Sequence, residues 1–173
     1  MASLVRCARE RQWGLLEARA PAQTGSMAGY SGTPLAKKLG IRAGARVVAL
    51  KAPKTFERDL GRLPDEAKLK TDLRGRSPVD VGLVFTMRES ELRRELPRLQ
   101  KRMASNGGLW VAWPKLTAVK AQGLDSDLTG DVVRSLGLAT GWVDNKVCAI
   151  DDTWSGLRFV MRVKDRPKSG GST

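Results

Sequence analysis

Apolar residues in this chain fall into two arrangements, short continuous runs and stripes at helical spacing. The runs are Arg46–Lys51, Val79–Thr86 and Leu109–Trp113. Consecutive apolar positions predict strands with both faces covered, as in a parallel sheet held between helices. Gly107–Lys115 reads as the central strand. Its two glycines let the chain leave a preceding helix through φ > 0, and Pro114 stops the ladder. The clearest stripe is Leu92, Leu96, Leu99 and Met103, at spacings of 4, 3 and 4. It predicts a helix from Glu89 to about Ala104, in which Pro97 implies a kink or a later start.

The remaining elements follow from punctuation. Thr33 as N-cap, Pro34 and a closing Gly40 predict a short helix. Thr55 can cap another that carries Phe56 and Leu60. Leu69–Leu73 is charged and suits a sheet margin, and residues 116–123 read as loop. Asp125–Thr129 offers several caps for a helix bearing Leu128, Val132, Val133 and Leu136 and closed by Gly137. Val143–Ile150 and Gly156–Val163 flank a short polar turn, so they predict an antiparallel hairpin. The implied fold is a single three-layer, Rossmann-like α/β domain over residues 27–163, mostly parallel, with a C-terminal antiparallel hairpin. Residues 1–26 read as a disordered arm or an upstream-start extension before Met27, and residues 164–173 as a disordered tail.

Composition adds a charge asymmetry and one exclusion. The net charge is +13, and Lys37 to Lys120 holds 20 basic against 9 acidic residues, whereas the counts from Ala121 onward are equal at 7 each. Such a surface suits an anionic ligand or nucleic acid as partner, or is simply solvated. Histidine is absent. That removes the usual general base near neutral pH, the commonest metal ligand and every Ser-His or Cys-His pair. No catalytic residue and no metal site is expected. Two distant cysteines, no secretory signal and no apolar run of membrane-spanning length make the cytoplasm the expected location, with no membrane partner.

The order of elements is similar to the class I methyltransferase fold. Leu39–Val48 resembles the approach to that fold's first strand, and Leu99–Val111, ending Asn106-Gly107-Gly108-Leu109-Trp110-Val111, resembles its helix and strand beyond. The pattern departs at Ala49-Leu50-Lys51-Ala52-Pro53-Lys54. That fold has a glycine-rich loop there because backbone must approach the cofactor closely. The expectation is therefore no cofactor, with S-adenosylmethionine unlikely to bind. Three stretches, Met27–Leu35, Gly108–Lys115 and Val147–Leu157, also resemble the bacterial domain of unknown function 3052 family, which implies a fold and a start at Met27 but no activity.

Ligands of open α/β sheets sit beyond the carboxyl ends of the strands. The candidates there are Lys51 with Pro53, Thr86 with Arg88, and Trp113 with Lys115. The three cations could converge on a phosphate or carboxylate, or end their strands in solvent. Asp151 and Asp152 are adjacent carboxylates, suited to a ligand or to capping their own turn, with Trp154 packing over the core. Cys148 reads as an inert core residue. Trp110 and Trp113 fall on opposite faces of their strand, one for the core and one for a pocket wall. The leading functional expectation is a non-catalytic α/β binding or interaction module with a degenerate cofactor loop. The alternatives are a divergent small-molecule transferase with an anion site at the strand ends, using Asp151 or Asp152 as base, and a nucleic-acid-binding protein.

Overall fold

The computed structural model describes residues 32–167. The proposed arm at residues 1–26, the Met27 start and the last six residues lie outside that range. The elements are α1 (Leu35–Leu39), β1 (Arg46–Leu50), α2 (Phe56–Leu60), β2 (Lys68–Lys70), β3 (Val79–Phe85), α3 (Glu89–Gln100), β4 (Met103–Pro114), α4 (Leu116–Gln122), α5 (Gly130–Ala139), β5 (Val143–Ala149) and β6 (Trp154–Val160). The strands form one six-stranded sheet in the order β2-β1-β3-β4-β6-β5. Pairing is parallel from β2 through β4, and β6 runs antiparallel to both of its neighbours. This is the mostly parallel α/β architecture expected, with the terminal hairpin in place.

The continuous apolar runs explain the layers. Successive strand residues point to opposite faces, so each run feeds two cores. Val47, Ala49, Leu83, Phe85, Trp110 and Ala112 pack on the face covered by α1 and α2. Val48, Val84, Leu109 and Val111 pack on the other, against Leu92, Leu96 and Leu99 of α3 and Val133 of α5. Trp110 is fully buried, and its indole N–H donates to the Leu39 carbonyl at 3.0 Å, which ties α1 to the sheet. Trp113 packs on the α3/α5 side, so the two tryptophans do divide between the faces.

Several local expectations are corrected. α3 starts at Glu89 but ends at Gln100, and Met103 is the first residue of β4, pairing with Val79. It is still buried against the α3 leucines, so the stripe marks the right face although the last residue belongs to another element. Pro97 lies in the last turns of α3, where its missing N–H removes one helical bond without ending the helix. Gly107 and Gly108 do not terminate a helix. They lie within β4 without left-handed backbone, and what they provide is space. Residues 116–122, expected as loop, form α4. It buries only Ala118 and leaves Leu116 exposed, so it shows no apolar stripe from which a helix could be read. Thr33 does not cap α1, since Pro34 holds that position. Thr129 does cap α5, accepting from Val132 N at 3.3 Å. The 3₁₀ turn at Val163–Asp165 overlaps the start of the stretch expected as tail.

Close packing between the terminal hairpin and α5 gives a direct test. A Cβ added at Gly137 would lie 2.7 Å from Cδ1 of Phe159, with other ring atoms closer still, and Phe159 is fully buried. Gly137→Ala should therefore destabilise the protein by about 1–2 kcal/mol despite alanine's better helix propensity. Urea unfolding should show a lower midpoint at an unchanged slope.

Candidate functional site

The chain visits β2 on one side of β1 and then crosses back to lay β3 on the other side. That reversal is the switch point at which open α/β sheets leave a crevice beyond the carboxyl ends of their strands. A cleft of about 530 Å³ lies there. Its lining includes Lys51 and Pro53 after β1, and Phe85, Thr86, Met87 and Arg88 at the end of β3. Glu91, Leu124, Asp125 and Trp154 complete the wall.

The apolar floor is built from the core outward. Phe85 contacts Phe56 edge-on, with ring centroids 5.0 Å apart, and Trp154 in the same manner at 5.3 Å. The polar mouth is a connected set. Thr86 is buried, and its hydroxyl donates to Glu91 Oε2 at 2.8 Å and accepts from Arg88 N at 3.2 Å. Lys51 Nζ lies 2.8 Å from Glu91 Oε1. The Lys51 ammonium, followed by the Thr86 hydroxyl, holds the Glu91 carboxyl below the ordinary carboxylate range. The Arg88 guanidinium pairs with Asp125, which raises its already high pKa. The loop carrying Asp125 is pinned beside the N-terminus of α3. Asp127 Oδ1 accepts from Glu89 N at 2.7 Å, and Ser126 Oγ donates to the Met87 carbonyl at 3.0 Å.

The expected site residues therefore separate. Lys51, Thr86 and Arg88 meet at the cleft, with Pro53 beside them. Lys115 is directed elsewhere: its Nζ donates to the Asp151 carbonyl at 2.6 Å, so the three cations do not converge. Trp113 packs beside Gly130, away from the cleft lining. Asp151 Oδ1 accepts from the backbone N–H of Thr153 at 2.7 Å and of Trp154 at 2.6 Å, which shapes the hairpin turn, and Asp152 is exposed. Neither aspartate lines the cleft. Cys148 is half-buried among apolar neighbours, and burial pushes its thiol pKa up, away from reactivity. Glu91 and Asp125 were missed as site residues. Glu91 looks like one more charge in a helix's first turn, and Asp125 like one more N-cap candidate.

No family model matches the chain, so the resemblance to the family of unknown function has no matching model behind it, and no curated protein matches. Solved structures of similar shape do exist. A putative sarcosine dimethylglycine methyltransferase from Galdieria sulphuraria is 12% identical, with 72% of this chain and 83% of that one covered at a TM-score of 0.42. The magnesium protoporphyrin IX methyltransferase of Synechocystis, solved with bound SAH, is 11% identical over 74% and 78% of the two chains, with a TM-score of 0.44. A DhpI-SAM-HEP complex is 11% identical over 73% and 84%, with a TM-score of 0.47. At these identities the likeness concerns the fold.

These structures correct one expectation. The prediction of no cofactor, with S-adenosylmethionine unlikely, is overturned: structures similar in fold are solved with SAM and with SAH. The physical reason lies at Lys51, whose φ is +55°. The turn takes the left-handed bend that glycine normally supplies, and it does so one residue before Ala52 and Pro53. A missing glycine is therefore no measure of the loop's shape.

The Lys51–Glu91–Thr86 set predicts a pH dependence. Glu91 has a folded-state pKa below its ordinary 4.5. Its contribution to stability is thus present above that value and lost as pH falls through the lowered one. Glu91→Gln should lower the melting temperature at pH about 7, and the gap to the unmodified protein should narrow as pH falls below 4.5 through the lowered value. Parallel thermal melts across that range check it. A gap that persists at low pH would mean that packing, not charge, makes the contact.

Proposed function

We propose that this chain is a small-molecule-binding α/β protein whose ligand, a nucleoside or nucleoside conjugate, occupies the cleft between the carboxyl ends of β1 and β3. The observation that carries the reading is the pairing of an aromatic floor with an ionised acceptor at the mouth. Trp154, backed edge-on by the buried Phe85, and Pro53 offer flat apolar surface for a base, with Met87 and Leu124 beside them. Glu91 is kept charged and can accept hydrogen bonds from ligand hydroxyls. Lys51 and Arg88 each already face a carboxylate, so the mouth favours a neutral or zwitterionic ligand over a bare phosphate. The divergent-transferase alternative, drawn with an anion site at the strand ends, shares this cleft, but its Lys115, Asp151 and Asp152 lie outside the lining. A group transfer by the purified protein would extend the reading to catalysis.

Adenosyl compounds are the first probes, because the solved structures of similar shape include SAM and SAH complexes. The full chain should be stabilised by S-adenosylmethionine, S-adenosylhomocysteine or adenosine, by about 2.7 kcal/mol at 100 times the dissociation constant. Glu91→Gln and Arg88→Ala should each weaken binding about tenfold in calorimetric titration. Absence of stabilisation by all three compounds, or affinities unchanged in both variants, would overturn the proposal.

A further inference from the structure

A second concavity, of about 630 Å³, lies at the opposite, amino end of the sheet. It is bounded by the α1–β1 connection, the starts of β3 and β4, and the hairpin. Lys38, Arg42, Arg46, Lys146 and Arg158 line it against one carboxylate, Asp80. Arg46 and Lys146 are engaged within the fold. Arg46 lies 3.5 Å from Asp80 through Nε and donates its backbone N–H to the same carboxylate at 2.8 Å, and Lys146 Nζ donates to the Lys38 carbonyl at 2.8 Å.

Arg158 is different. Its Nε is buried with no hydrogen-bond partner among the described residues, and no described carboxylate pairs with its guanidinium. The charges nearest to it are repulsive: after burial, Arg42 and Arg166 are what lower its pKa. The head group lies over Gly108, where an added Cβ would come within 2.6 Å of Arg158 Cζ. A bare glycine in β4 thus leaves room for an arginine of β6 to lie flat at the edge of the cavity. Placing a guanidinium where it is partly desolvated and beside other cations is unfavourable unless an anion completes the set. The planar fork matches phosphate or carboxylate oxygens two at a time.

We propose that this concavity is a binding site for a small phosphate-rich anion, held by Arg158 and Arg42. Its size is that of a small-molecule site, and its cations surround a hollow instead of tracking a stripe, which favours a compact polyphosphate over a nucleic-acid backbone. The inference does not rest on the cleft at the other end, with which it shares no lining residue.

Calorimetric titration of the full chain with sodium tripolyphosphate, at salt near 0.15 M so that diffuse surface attraction is screened, tests the proposal. Saturable binding is expected, weakened about tenfold or more by Arg158→Gln and by Arg42→Gln. Arg93→Gln, which removes an exposed charge in the first turns of α3, beyond the carboxyl end of β3 and outside this cavity, should leave it unchanged. Arg42 is exposed, so its variant decides the matter if Arg158→Gln fails to fold. No saturable binding, or equal losses in all three variants, would overturn the proposal. So would a short DNA duplex that binds while tripolyphosphate neither binds nor competes, an outcome that assigns the basic surface to nucleic acid instead.

Discussion

In β1, β3 and β4, apolar side chains face helices on both sides of the sheet. Val47 and Val48, Leu83 and Val84, Trp110 and Val111 are neighbours in sequence and lie in two different cores. Burying one such side chain contributes about 1.5–3 kcal/mol, so a strand carrying alternate residues in both layers cannot shift register by one without moving every side chain to the opposite face. The strand ends are therefore held in place. The crevice between β1 and β3 follows from that rigidity together with the crossing back from β2 to β3.

What the two ends of the sheet do with charge differs. At the carboxyl end, Lys51 and Arg88 meet Glu91 and Asp125, and Thr86 contributes a buried hydroxyl whose bonds are satisfied. The result is a nearly neutral mouth over an aromatic floor. At the amino end, Arg158 and Arg42 share a hollow with little acidic compensation. One protein thus presents two recesses of different charge. Neither contains a histidine.

Much of the architecture is legible in the sequence because strand burial writes itself as uninterrupted apolar runs and helix burial as stripes. The hairpin is legible too, from two apolar runs around Asp151–Ser155. What was misread has physical causes. α4 packs through one alanine, so it leaves no periodic trace. Gly107 and Gly108 were read for conformational freedom, whereas Gly107 makes room for the Asp80 and Ala104 carbonyls and the Met103 methyl, and Gly108 for Arg158 of β6. Lys51 adopts a left-handed turn that sequence alone assigns to glycine, and this made the loop after β1 look unfit for a cofactor. Half of the cleft was anticipated through Lys51, Thr86 and Arg88. Its acidic half was not, because Glu91 and Asp125 acquire their meaning only when α3 and the loop before α5 fold back over the strand ends.

The central claim, that the recess beyond β1 and β3 is a ligand site, is tested most directly by mapping backbone amide chemical shifts during titration with S-adenosylhomocysteine. The account predicts shifts concentrated at Lys51, at Phe85 to Arg88, and at Glu91, Asp125 and Trp154, with the amino end of the sheet unmoved. Shifts confined to Arg42, Lys146 and Arg158, or scattered evenly over the basic surface, would contradict it.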